Sequence, residues 1–218
     1  LVVTPSMRSM KKWVWTVFTL GVLQLFMGAY LAHLTVDFTR VPGFRWFEWP
    51  QWLAQNITYS VARTWHLQTS IFFIAGSYLS AGLFLAPAIG GRTKDPPLQH
   101  LLCNILYVCV LIIVVGSYLG EVAAIHQTFG DLTMSYWFGH QGYEYIELGR
   151  FWQWFLWVGC LIWLGLMLNG VWPALVPPKT AEARGPWHWA LLLTGSVTMI
   201  GVLYGAGFFF SARTHLTM

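Results

Sequence analysis

The chain has 218 residues, of which 56% are hydrophobic and 9% charged, with 14 Trp and 15 Phe. Soluble domains carry about 25% charged residues, so a chain this poor in charge cannot clothe a globular surface, and the composition places it in a membrane. The formal net charge of +4 and pI near 9.1 do not point to nucleic acid, because Lys and Arg are scattered between apolar runs and form no stripe.

Stretches free of Asp, Glu, Lys and Arg cover 13–36, 64–91, 96–120, 151–178 and 185–212. Each exceeds the roughly 20 residues that a helix needs to cross a bilayer's hydrocarbon core. An all-α membrane protein with five transmembrane helices follows, over about 10–36, 60–91, 97–126, 147–173 and 186–212, in a single transmembrane domain. The first run is too long for a signal peptide's apolar region and is expected to stay in the mature chain. Trp13, Trp15, Trp46, Trp49, Trp52, Trp65, Trp152 and Trp187 fall at or near span ends, where an indole keeps one edge wet, and read as interfacial anchors.

The first helix closes on AHLTVDF, with His33 and Asp37 four residues apart on one face. A His and a carboxylate at the interface can hydrogen-bond both ends of a quinol and accept its protons. A helix end with a solvated Asp fits the same spacing. The following VPGFRWFEWPQWLAQNITYS is aromatic and amphipathic, fit for a short helix in the interface.

ARTWHLQTS opens the second helix with Arg63 and His66 three apart, on one face. A neutral imidazole can ligate haem iron while a guanidinium one turn nearer the water pairs a haem propionate. The plainer alternative is a His bonded to a carbonyl and an Arg reaching to headgroups. GGRTKDPP then ends this helix with Gly and begins the next with Pro. Cys103, Cys109 and Cys160 lie inside apolar runs and imply no disulfide framework.

Glu121 follows a long apolar run and is either a proton-path residue or a helix end reaching headgroups. The segment QTFGDLTMSYWFGHQGYEYIELGR mixes Gly, Tyr and acids in the manner of a binding loop. Its Glu144 and Glu147 are one turn apart, suited to Ca²⁺ or to the solvated first turn of the fourth helix. VPPKTAEARGP joins the fourth and fifth helices. Seven Lys and Arg (Arg8, Lys11, Lys12, Arg92, Lys94, Lys179, Arg184) fall on the amino-terminal side and five (Arg40, Arg45, Arg63, Arg150, Arg213) on the other. The bias puts the amino terminus in the cytoplasm and most of the acids outside. Neither repeated halves nor helices broken at mid-membrane are evident, which weighs against a transporter.

Taken in order, TPSMR, AHLTVD, RTWHLQ, LFLAPAIGG, GSYLGE, GHQGYEYIELGR and LYGAGFFFSARTHL resemble the quinol-dependent nitric oxide reductases of the haem-copper oxidase superfamily, over essentially the whole chain. The resemblance implies part of a 12-helix bundle in a bacterial inner membrane, reducing two nitric oxide molecules to nitrous oxide and water. It makes His66 an axial ligand of a low-spin haem b, with Arg63 beside it, and His33 and Asp37 the quinol site. Glu144 becomes a ligand of a calcium ion bridging haem propionates, and Glu147 a residue of proton uptake from the outer face, joining Glu121 as a proton-path candidate. Asp37 departs from the Glu usual in that family, which leaves the donor site open to another quinol. The similar nitric oxide dismutase-like enzymes lack an intact quinol site, and a membrane anchor subunit without haem is the non-enzymatic alternative.

The family's HLWVEG motif and the helices holding the second haem ligand, the high-spin haem b and the non-haem iron do not occur in these residues. The chain is therefore expected to be one portion of an enzyme, a fragment or a natural split subunit, working with the remaining portion, with quinol and with membrane lipid. A homodimer is among the expected assemblies.

Overall fold

The computed structural model describes residues 2–35, 51–139 and 148–175. Its elements in chain order are α1 (Pro5–Thr35), α2 (Gln51–Asn56), α3 (Tyr59–Ile89), α4 (Gln99–Ile125), α5 (Leu132–Phe138), α6 (Arg150–Leu166), a π turn (Met167–Val171) and α7 (Trp172–Leu175). Among the described residues, four helical stretches are long and apolar enough to cross a membrane: Pro5–Thr35, Tyr59–Ile89, Gln99–Ile125 and Arg150–Ala174. Even the shortest, 25 residues, spans about 37 Å at 1.5 Å per residue, more than the roughly 30 Å core. The fifth span, over 186–212, lies outside the described residues.

α1 begins at Pro5, before the apolar run and earlier than the expected 10, because TPSMR supplies a start. Pro5 takes the first helical position, where its missing N–H costs nothing. Thr4 Oγ1 accepts from Met7 N at 3.3 Å, and Asp95 Oδ2 accepts from Ser6 N at 2.7 Å. Two otherwise orphaned amides are thus capped. At the far end of α3, Gly91 takes φ +62°, the left-handed turn that stops a helix after its last apolar turn.

The described chain forms two compact units. Of the described residues, one takes 2–17, 74–113 and 153–175; the other takes 18–35, 51–73, 114–139 and 148–152. In the first, Met10, Trp13, Leu83, Cys103, Leu106 and Leu166 form the core. Trp13 is only 2% exposed and packs edge-on against Tyr107 at 5.5 Å, so it is a core residue and not an interfacial anchor. In the same unit Arg92 donates through Nη2 to the Gly170 carbonyl in the π turn. Burial lowers the Arg92 pKa, and Asp95 nearby opposes that.

The second unit packs Met27, Tyr30, Leu53 and Ala62 together. Tyr30 donates its hydroxyl to the Ile57 carbonyl at 2.8 Å, tying α1 to the turn after α2. Trp152 is buried as well, its Nε1 donating to the Phe138 carbonyl at 2.8 Å, which removes a second expected anchor. Trp15 and Trp52 are exposed, as anchors require. The segment read as a loop contains α5, nucleated by Asp131, whose side chain accepts from Thr133 N. Asp131 is thus a helix cap.

Close approach depends on glycine at two points of α4. A Cβ at Gly116 would fall within the Trp152 indole, and one at Gly120 on the Phe138 carbonyl oxygen. Gly165 of α6, by contrast, has open space where its Cβ would stand. Gly120→Ala is expected to destabilise the fold by about 1–3 kcal/mol through overpacking, whereas Gly165→Ala should stabilise by about 0.5–1 kcal/mol through helix propensity. Melting temperatures of the two variants in one detergent check the opposite signs.

Candidate functional site

His66 sits in the second unit, on the side of α3 that meets α1. Its Nδ1 lies 3.2 Å from the Gln24 carbonyl oxygen and its Nε2 3.2 Å from the Gln24 side-chain amide nitrogen. A carbonyl only accepts, so Nδ1 carries the proton and Nε2 presents its lone pair, for now to the Gln24 amide. The carbonyl bond is the one foreseen for an ordinary buried histidine. It is also the contact that fixes the tautomer of a metal-ligating imidazole.

Space for the ring comes from the sequence of α1. Gly21, Gln24 and Gly28 follow one another at helical spacing and face α3. A Cβ at Gly28 would stand 3.0 Å from His66 Cε1, and one at Gly21 3.1 Å from the Phe73 ring. Small residues of this kind let two membrane helices approach closely. The Gln24 Oε1 is buried without a hydrogen-bond partner among the described residues, so this side chain is only half satisfied where it meets the imidazole.

Two residues to either side of His66, Thr64 and Gln68 lie on the far side of α3, since each step of two turns the helix by about 200°. They belong to a buried polar ladder between α3 and α4. Ser117 Oγ donates to Gln68 Oε1 at 3.3 Å, the Thr69 and Tyr118 hydroxyls bond to each other, and Thr64 and Glu121 are buried on the same two helices. Trp65 adds a stack on Tyr118, with centroids 5.2 Å apart, and donates Nε1 to the Tyr118 carbonyl at 3.3 Å. The ladder sets the rotation of α3, and that rotation turns His66 toward α1.

Glu121 is 2% exposed, so it is turned inward; the reading in which it reaches the headgroups gives way. Arg63 is half-buried one turn before His66, and His33 half-buried in the last turn of α1. Asp37, Glu144 and Glu147 lie outside the described residues. Among those described, no three His, Cys, Asp or Glu side chains gather as a metal-ion cluster. The sequence reading missed Gln24, Gly28 and the ladder. Its available signal was polar residues recurring at helical spacing inside apolar spans, Thr64 with Gln68 and Ser117 with Glu121.

Thr69→Val is expected to cost about 1–3 kcal/mol, because it strands the buried Tyr118 hydroxyl. Adding Tyr118→Phe should recover part of that loss, as unfolding of the single and double variants in mild detergent will register.

Residues 8–218 match the family model described as cytochrome c and quinol oxidase polypeptide I. No curated protein gives a significant match.

Proposed function

The chain belongs to the cytochrome c and quinol oxidase polypeptide I family, whose members are haem-binding oxidoreductases, and from that premise we propose that it is the electron-entry portion of a quinol-oxidising nitric oxide reductase. Haem, when bound, supplies one-electron transfer. His66 would hold the iron of a low-spin haem b through Nε2, and Arg63, one turn away on α3, would pair a propionate. His33 and Asp37 would bind the quinol and accept its protons as electrons leave. Glu144 would hold calcium, and Glu147 and Glu121 would carry protons. The centre that couples two nitric oxide molecules, with its high-spin haem b and non-haem iron, belongs to the remaining portion of the enzyme. The setting is a bacterial inner membrane with the amino terminus in the cytoplasm, in keeping with the Lys and Arg bias.

The observation that carries this reading is the Gln24 carbonyl on His66 Nδ1. It leaves the lone pair on the nitrogen that a haem iron needs, and Gly28 keeps the ring's other edge uncrowded. The Gln24 amide, bonded to Nε2, is the group that must turn aside when a ligand is bound. Glu121, buried in α4, has the inward setting of a functional intramembrane acid.

In the purified complex, His66→Ala should abolish the low-spin haem b absorption bands and the quinol-driven reduction of that haem; unchanged bands would refute the assignment. Gly28→Val, which alters no ligand, should disturb the same bands by crowding the imidazole. Glu121→Gln should leave the spectrum intact while slowing nitric oxide turnover by about tenfold or more, the scale of a lost proton-transfer group.

A further inference from the structure

The first compact unit contains a cavity of about 600 Å³ lined by Arg8, Lys11, Lys12 and Trp15 of α1 and by His100 of α4. Positions 8, 11, 12 and 15 form one stripe of α1, spaced as neighbours on a helix face. Three permanent positive charges and an imidazole therefore converge on one space. Asp95, the acid of the neighbouring loop, gives an oxygen to Ser6 N and does not line the cavity.

Three of the lining residues, Ser9, Lys12 and His100, are held in place by Asn104. Its Oδ1 accepts from Lys12 Nζ and from Ser9 Oγ, and its amide nitrogen stands 3.2 Å from His100 Nε2. Lys12 Nζ also lies 4.5 Å from the centre of the Tyr107 ring. The Asn104 amide donates to His100 Nε2, which leaves the His100 proton on Nδ1 as a further donor. Arg8 and Lys11 are exposed and form no ion pair with a described residue. A guanidinium, an ammonium and an N–H donor around one cavity fit a phosphate group.

The surroundings decide which phosphate. Immediately along α1 the apolar span begins, with Val14 bare and Trp15 62% exposed; after His100 on α4 come Leu101, Ile105 and Val108, all exposed. A soluble phosphate has no use for bare apolar side chains beside its cations. A lipid uses both, its phosphate among the charges and its acyl chains along the apolar residues that follow. We infer that this cavity is a specific site for an anionic phospholipid, whose headgroup phosphate is held by Arg8, Lys11, Lys12 and His100.

The test is native mass spectrometry of the purified complex in uncharged detergent, titrated with phosphatidylglycerol, phosphatidylcholine or inorganic phosphate. Phosphatidylglycerol should be retained in preference to phosphatidylcholine, and inorganic phosphate should not displace it. Arg8→Gln and Lys11→Gln should each weaken retention by roughly fivefold, Lys11→Arg should preserve it, and Lys94→Gln, on the loop outside the cavity, should leave it unchanged. Equal retention of phosphatidylcholine, displacement by inorganic phosphate, an equal effect of Lys94→Gln, or loss of retention in Lys11→Arg would each overturn the assignment. The first would mark a plain acyl-chain contact, the second a free-anion site and the third a diffuse basic surface.

Discussion

In a hydrocarbon core there is no water to take up a stray donor, so each polar side chain on a spanning helix must find its partner on a neighbour. The ladder between α3 and α4 is this rule at work. Thr64, Gln68 and Thr69 of α3 are all nearly inaccessible, as are Ser117, Tyr118 and Glu121 of α4. Only one rotation of α3 satisfies them together, and a helix so fixed has no freedom left in choosing where its remaining residues point. His66 faces Gln24 as a consequence of groups that never touch it. An isolated interhelical hydrogen bond in a membrane is worth roughly 0.6 kcal/mol, so the individual rungs are weak. Their joint effect is to select one orientation among several with equally good apolar packing, since a greasy helix surface discriminates poorly between rotations.

The glycines of the second unit act on distance where the ladder acts on angle. Gly21 and Gly28 let α1 come against α3, and Gly116 and Gly120 bring α4 against Trp152 and the Phe138 carbonyl. Association of helices in lipid has no hydrophobic driving force to spend, because lipid tails are as apolar as leucine. Close packing and polar satisfaction take over that role. The imidazole therefore occupies a space defined by atoms that are missing, the Cβ of Gly28 above all.

The spans themselves were legible from the sequence, since runs lacking charge over more than twenty residues leave few alternatives in a protein of this composition. The helix start at Pro5 was written in TPSMR but fell outside a reading guided by hydropathy, because capping is a property of single hydrogen bonds and hydropathy is an average. Trp13 and Trp152 show the converse failure. An indole near a span end is as compatible with a core slot as with the interface, and only the neighbouring helix decides; for Trp152 the decision came from Gly116, thirty-six positions away in the chain. The pair Arg63 and His66 was visible as unusual residues at helical spacing. Gln24 was not, because its importance lies in a backbone carbonyl that every residue possesses. α5 was misread as loop since its cap, Asp131, had been counted only as a charge.

The π turn at Met167–Val171 carries a mechanical implication. A π turn accommodates one extra residue, and the wider loop of backbone leaves a carbonyl without its usual i+4 donor. Here the Arg92 guanidinium reaches the Gly170 oxygen from the connection between α3 and α4, while a Cβ at Gly170 would crowd Leu83 and Gln99, each at 2.8 Å. The irregular stretch of the α6 rod is thus latched to the connection between α3 and α4. Any bending of the α6 rod at this joint must therefore drag the α3–α4 connection with it, because a single cation ties the two together.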